Sequence, residues 1–354
     1  LEQDRLVALA GARGMRMVGP NTAGVLNCPL GLNASLMPAL PPAGAGLSIL
    51  TQSGGFGMTV SLYAENHRPP IAKYCDLGNT ADTQAAEVLA YYRADPETRV
   101  VGLFLESIQD SGAFARELVA LVAEKPVIAT RLARTAAGRR ASQDHLGLQP
   151  GYAAAAMAAI QELPVQASSS GQMLDIAKAM SFQPLPAGRR AVLMTGSGGV
   201  GSELADLAVE HGLELPPTPA DLTAELARHL PIYAGLANPI DLTPLWWDYP
   251  RIYPALLRAL LRSPAYDLAI VGILDVAASV DGLLAALIEL VGDPEFQALG
   301  KPIYVFWNAV HSLRDNMRRL EAARIPCYQT PLETVLPVAG VAAHGAARQA
   351  ATQT

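Results

Sequence analysis

Cysteine is scarce in this sequence: Cys28, Cys75 and Cys327 are the only three in 354 residues, too far apart for a disulfide framework or a clustered metal site. They read as small buried hydrophobes in a reducing compartment, so a cytoplasmic location is expected. No apolar run approaches the ~20 residues that a membrane span requires. No basic-then-apolar leader opens the chain, and its first residue is Leu1 rather than Met, as expected of a cropped or processed chain or of one half of a larger polypeptide. Basic charge is also short. Lys and Arg number 26 against 32 Asp and Glu, a net charge of −6 that argues against a nucleic-acid-binding face. Among the six histidines no pair has metal-ligand spacing, and no metal site is expected.

Apolar residues, in contrast, are plentiful at 51%, and 30 Gly and 27 Pro fit an α/β chain with many short turns. Short apolar runs alternate with helical-period segments, the pattern of a parallel sheet wrapped by helices. The reading begins with a helix at about Asp4–Ala12, a strand at Met15–Val18, the loop Gly19-Pro20-Asn21 and a Pro/Gly/Ala linker, Pro38–Gly46. A first doubly wound unit follows. It has strands at Leu47–Thr51, Ile71–Asp76, Val100–Leu105 and Pro126–Thr130, and Asp82 is expected to cap a helix running to Ala94. A second unit opens at Arg189 with strand Ala191–Thr195, and further strands fall at Leu268–Ile273 and Ile303–Phe306. The expected domains are 1–42, 43–166, a linker helix over 167–188, 189–346 and a tail over 347–354. The two units repeat one plan of strand, Gly/Ser turn and helix, an internal repeat of architecture rather than of sequence.

Those turns are Thr51-Gln52-Ser53-Gly54-Gly55 and Thr195-Gly196-Ser197-Gly198-Gly199. Glycine permits close backbone approach, and the helix that follows offers unpaired N–H groups and the positive end of its dipole. Ser53, Gly54 and Gly55, with Ser197, Gly198 and Gly199, are therefore candidate phosphate-binding residues. Both turns lack the Gly-Lys-Ser/Thr ending of a P-loop, and the first lacks the G-x-G-x-x-G spacing of a dinucleotide site. His145 stands in a polar loop bracketed by Gly138 and Gly151. On the residues alone it reads either as a surface histidine or as a nucleophile. A phosphoryl-carrying imidazole needs one free nitrogen and a fixed acceptor on the other. Glu106, at the tip of a buried strand, is placed to be that acceptor or is a solvated strand-end acid.

Taken in order, the motifs resemble a family. Gly-Met-Arg-Met-Val-Gly-Pro-Asn (14–21), Thr-Gln-Ser-Gly-Gly (51–55), Asp-Leu-Gly-Asn-Thr-Ala-Asp (76–82) and Phe-Leu-Glu-Ser-Ile (104–108) lead to Ala-Gly-Arg-Arg-Ala-Ser-Gln-Asp-His-Leu-Gly (137–147). Thr-Gly-Ser-Gly-Gly (195–199) and Asn-Pro-Ile-Asp-Leu (238–242) complete the series. The run is similar to the NDP-forming acyl-CoA synthetases of the succinyl-CoA synthetase superfamily. That resemblance implies two flavodoxin-like, doubly wound parallel-sheet domains, preceded by the remnant of a Rossmann-like CoA-binding domain. It implies an acid–CoA ligase core working through acyl phosphate and a phosphohistidine at His145, with Glu106 binding its ring. Asn21 and Asn79 would lie near CoA or substrate. CoA, ATP or ADP with Mg2+, a carboxylic acid or acyl-CoA, and an ATP-grasp domain or subunit that binds the nucleotide are implied partners, in an oligomer. Asp144 replaces the family's Ser and Leu146 its Thr. An acid beside a phosphohistidine repels it if it points inward, which keeps open a second expectation: a catalytically impaired module of the same fold that binds CoA or acyl-CoA.

Overall fold

The chain divides after Ser181 into two units, each built round its own sheet. The computed structural model describes residues 2–41, 43–67, 69–130, 135–138, 140, 154–275, 280–309 and 313–352.

In the first unit an antiparallel hairpin, β1 (Gly24–Asn27) and β2 (Leu32–Ser35), joins the edge of a parallel sheet through β1. The parallel strands are β3 (Ala43–Thr51), β4 (Ile71–Asp76), β5 (Thr98–Phe104), β6 (Val127–Thr130) and β7 (Gln166–Ala167), in spatial order β4-β3-β5-β6-β7. Leu47, Ile49, Leu50, Val100, Val101 and Ile128 are fully buried. They form continuous apolar runs because helices cover both faces of the sheet. On one face the helices Ala85–Ala94 and Ser111–Glu124 close over Leu50, Val101, Leu103 and Ala129 with Leu89, Tyr92, Phe114 and Leu118.

The second unit holds β8 (Ala191–Thr195), β9 (Ile240–Asp241), β10 (Leu268–Asp275), β11 (Ile303–Ala309) and β12 (Cys327–Tyr328), all parallel, in the order β9-β8-β10-β11-β12. Its main cluster packs Ile252, Leu256, Leu260, Leu284 and Leu287 against Val192, Val271, Val305 and Trp307. In both units the first strand lies inside the sheet, the second on one side of it and the third on the other. This is the flavodoxin order 2-1-3-4-5, whose ligand crevice opens at the carboxyl ends of strands one and three.

Several local expectations need correction. Met15–Val18 is not a strand, because its backbone groups are taken elsewhere. Met15 N–H donates to Ala10 O, Met17 N–H to the Asp82 carboxylate, and Met17 O accepts from Thr83 N–H. Asp82 therefore does not cap the following helix. Gln84 is the N-cap there, in a reciprocal arrangement with Glu87. The stretch Pro38–Gly46 is a linker only in part, since β3 starts at Ala43. The hairpin and the two-residue strands β7, β9 and β12 gave no periodic signal, being too short to show alternation.

All three cysteines are buried, as expected of small hydrophobes. A cavity of about 320 Å³ lies between the hairpin, β4 and the helix Ala85–Ala94, lined by Leu26, Tyr74, Tyr91 and Tyr92 among others. Its lining includes none of Ser53, Gly54, Gly55, Glu106, Asn21 and Asn79.

His344 is a buried titratable group of the second unit. It lies in the helix Pro331–Thr352 with 1% exposure, and among the described residues neither ring nitrogen has a protein partner. Burial, with the charge of Arg348, pushes its pKa down from 6.5 to about 4. The folded state therefore holds it neutral, and between these values the unfolded chain binds a proton that the folded one refuses. Stability is full above the unfolded value and drains as pH falls toward the folded one, by on the order of 3 kcal/mol from this group. Urea denaturation at stepped pH is expected to show this loss. In His344→Leu that component should vanish, and an unchanged slope would refute the assignment.

Candidate active site

At the end of β3 the chain turns sharply into the helix Gly54–His67. Ser53 N–H donates to Thr51 Oγ1 (3.0 Å), and Ser53 Oγ accepts from Phe56 N–H (3.4 Å). Ser53 thus serves as an N-cap by accepting, and among the described residues its own O–H proton has no acceptor and can point at a ligand. The stacked rings of Phe56 and Phe104, 3.9 Å between centroids, fix the helix start against the end of β5. Gly54 and Gly55 are the first residues of this helix, where backbone N–H groups have no intrahelical acceptor. Together with the dipole they suit an anion.

Glu106 and Ser107 follow β5 on the other side of the switch point. Their N–H groups both donate to Gln52 Oε1, each at 2.8 Å. Gln52 Nε2 in turn donates to Thr80 Oγ1 (2.9 Å) and Ser107 Oγ (3.4 Å). One side chain therefore ties together the ends of β3, β4 and β5. Thr80 has φ +56°, unusual for a β-branched residue, and is buried.

The loop after β4 closes the crevice. Asp76 is fully buried, and its carboxylate accepts from Ala23 N–H (2.6 Å) and Gly78 N–H (3.1 Å). Burial raises its pKa, and those N–H groups oppose the rise. Asn21, at φ +57°, donates through Nδ2 to Asn79 Oδ1 at 3.2 Å, and both side chains are exposed. The segment carrying Asn21 is held on this loop by Asn79 N–H to Pro20 O, by Ala81 N–H to Gly19 O, and by Arg16 on Asp82 and Glu87. Ser53, Gly54, Gly55, Glu106, Asn21 and Asn79 are thus gathered at one end of the first sheet. His145 and its neighbours Asp144 and Leu146 lie outside the described residues.

The second unit repeats this frame in its own crevice. Ser197 N–H donates to Thr195 Oγ1, and Ser197 Oγ caps Val200 N–H at the start of the helix Gly198–Glu210. Gly198 and Gly199 supply the first-turn N–H groups. Asp241 accepts from Thr243 N–H as Asp76 does from Gly78 N–H, and Leu242 N–H reaches Thr195 O as Leu77 N–H reaches Thr51 O. The repeat therefore extends to side chains: Thr-x-Ser-Gly-Gly-x-Gly at 51–57 and 195–201, then Asp-Leu at 76–77 and 241–242. Both Asp-Leu pairs were visible in the sequence. Both were quoted only inside longer motifs, and nothing singled out their acids, because a strand-end acid is common and its partners here are backbone groups. Gln52 was missed for a related reason, being read only as a member of its turn. The aromatic run Trp246, Trp247 and Tyr249 splits: Tyr249 is buried with its hydroxyl on Thr243 O, and Trp247 is 66% exposed.

Comparison with known proteins agrees with this construction. Residues 44–180 match the succinyl-CoA ligase-like flavodoxin domain and residues 191–353 the Ligase-CoA domain. The chain is 28% identical over 340 residues to the alpha subunit of an ADP-forming acetate–CoA ligase II of Pyrococcus furiosus, covering 93% of this chain and 71% of that subunit. It is 31% identical over 349 residues to the ADP-forming acetate–CoA ligase II of Archaeoglobus fulgidus, covering 94% of this chain but 49% of that protein. The chain thus spans about half the length of this second relative. A solved structure from Ca. Korarchaeum cryptofilum, a dinucleotide-forming acetyl-coenzyme A synthetase 1 in complex with phosphate and ADP, superposes with a TM-score of 0.87 at 26% identity, over 99% of this chain and 76% of that one. With both domain models in sequence order and a superposable relative over nearly its whole length, the chain belongs to the NDP-forming acyl-CoA synthetases of the succinyl-CoA synthetase superfamily and carries the two flavodoxin-like domains of their alpha part.

Proposed function

We propose that this chain is the phosphohistidine core of an ADP-forming acid–CoA ligase, catalysing acyl-CoA + phosphate + ADP ⇌ acid + CoA + ATP. The observation that carries the reading is the joining, through Gln52, of an anion-binding turn to the strand end that bears Glu106, at the switch point of a flavodoxin-order sheet. Phosphate attacks the thioester carbon, the C–S bond breaks, and CoA leaves as the thiol beside an acyl phosphate. Nε2 of His145 then attacks phosphorus. The P–N bond forms as the P–O bond to the acyl group breaks, and the acid leaves. A terminal oxygen of ADP displaces the imidazole, giving ATP.

This chain's contribution is positional and electrostatic. Glu106 accepts the Nδ1–H of His145, which fixes the tautomer that leaves Nε2 nucleophilic. First-turn N–H groups at Gly54 and Gly55 balance charge on the phosphoryl oxygens, and those at Gly198 and Gly199 offer an anion site in the second unit's own crevice. Asn21 and Asn79 face the CoA or acyl substrate. Among the described residues no group of three or more His, Cys, Asp and Glu could hold a metal. By the family resemblance, the Mg2+ that accompanies a nucleotide is assigned to the ATP-grasp partner, which also brings ADP. Phosphate and ADP are the ligands named for the Korarchaeum relative.

The chain combined with an ATP-grasp partner, Mg2+ and γ-labelled ATP is expected to take up one acid-labile, base-stable phosphoryl label. Wild type that stays unlabelled would sink the proposal. Asp144 beside His145 favours a second reading, a module that binds CoA or acyl-CoA without turnover. Saturable acyl-CoA binding with no label would support it.

A further inference from the structure

We propose that Gln52 is a positioning residue for Glu106, fixing the carboxylate that orients the phosphoryl-carrying imidazole by clamping the backbone on which it stands. The inference rests on the functional reading above and adds a residue to it.

Three observations carry it. First, Gln52 Oε1 accepts both Glu106 N–H and Ser107 N–H at 2.8 Å. These groups lie just beyond β5, where the strand ladder no longer supplies acceptors. Second, the other end of the same amide donates to Thr80 Oγ1 and Ser107 Oγ, so it cannot swing without releasing the β4 loop. Thr80 keeps a left-handed backbone there, a conformation that persists only where surroundings over-determine it.

Third, the internal repeat supplies a control within the molecule. The Thr-x-Ser-Gly-Gly-x-Gly frame differs at its second position, which is Gln52 in the first unit and Gly196 in the second. At Gly196 a Cβ would stand 1.8 Å from Tyr249 Oη, so that place is already filled. Thr195, Ser197 and Asp241 make the same turn without an amide. The turn therefore does not need Gln52. The bond that distinguishes it leads to Glu106.

The chemistry selects glutamine. A glutamate could accept the two N–H groups but not donate to Thr80 and Ser107, and it would put a second negative charge beside Glu106 and the phosphoryl group. An asparagine is one methylene too short to span from β3 to the end of β5. A methionine has the length and neither polar function.

The test uses the full chain with its ATP-grasp partner and two independent readouts. Amide hydrogen exchange comes first. Gln52→Met is expected to speed exchange at Glu106 and Ser107 by roughly tenfold or more, whereas Gln52→Glu, which keeps the acceptor, should largely preserve protection. Phosphoryl transfer comes second. Gln52→Met is expected to slow labelling by about 100-fold with nucleotide KM changed less than about threefold. Gln52→Glu should move the acid limb of the pH–rate profile upward.

If Gln52 acts through Glu106, adding Gln52→Met to Glu106→Ala should cost no more than about a further threefold. Multiplying losses, or unchanged exchange at both amides, would overturn the inference. Wild type that takes no label would instead remove the functional reading, and the exchange data would still decide whether Gln52 fixes the Glu106 backbone.

Discussion

His145→Asn is expected to lower phosphoryl transfer by at least about 10⁴-fold, and to abolish the label, without changing the unfolding midpoint. Asparagine keeps polarity and approximate size but has no lone pair of comparable nucleophilicity. An effect on chemistry alone is therefore expected. Glu106→Gln should fall between this variant and wild type, losing about 10²–10⁴-fold. It keeps the shape at the end of β5 and the backbone bonds to Gln52, and it removes the charge that stabilises the developing imidazolium. Single-turnover labelling from ATP separates the two variants. Retention of more than about a tenth of wild-type rate in His145→Asn would exclude it as the phosphoryl carrier, whatever the standing of the fold.

The fold was legible in the sequence to the extent that strands were long and buried on both faces. Ile71–Asp76 was read residue for residue, and Ala191–Thr195 likewise; the second is a continuous apolar run that ends in a turn signal, and the first is apolar but for Lys73 and its terminal Asp76. The hairpin was hidden because β1 and β2 are four residues each and β2 is largely exposed, so neither periodicity nor an apolar run marks them. Met15–Val18 shows the opposite failure. Its composition suits a strand, yet its N–H and C=O groups are taken by Asp82, Thr83 and Ala10, partners of which two lie about 65 positions away. Propensity yields to such tertiary bonds.

The candidate site follows the same division. Gly/Ser turns and a strand-end Glu announce themselves by residue type. Gln52 and Asp76 accept from backbone N–H groups and Thr80 accepts from the Gln52 side chain, and residue type says nothing of those partners. The repeat of Thr-x-Ser-Gly-Gly-x-Gly with Asp-Leu downstream sets Asp76 and Asp241 apart within the motifs that hold them, and it becomes informative only when both copies are set against one sheet order.

Gly78→Ala is expected to cost about 3–5 kcal/mol of stability. Gly78 has φ +51°, where an L side chain costs roughly 1–2 kcal/mol by itself. A Cβ there would also stand 2.3 Å from Asn21 O and 2.4 Å from Pro20 O. Those atoms are backbone and cannot rotate away, so the loop must shift. The shift strains the bonds from Asn79 N–H to Pro20 O and from Ala81 N–H to Gly19 O, each worth about 1 kcal/mol. Gly31→Ala is the matched control, with φ +67° and nothing within 4 Å of the new methyl. It should cost about 1 kcal/mol or less, since alanine also restricts the unfolded chain. Urea midpoints at constant slope give the comparison directly. A difference below about 0.5 kcal/mol would mean that the 14–21 segment is not packed on the β4 loop as described. A large one should be accompanied by slower labelling, because Asn79 and Thr80 move with Gly78 and Thr80 anchors the donor end of Gln52.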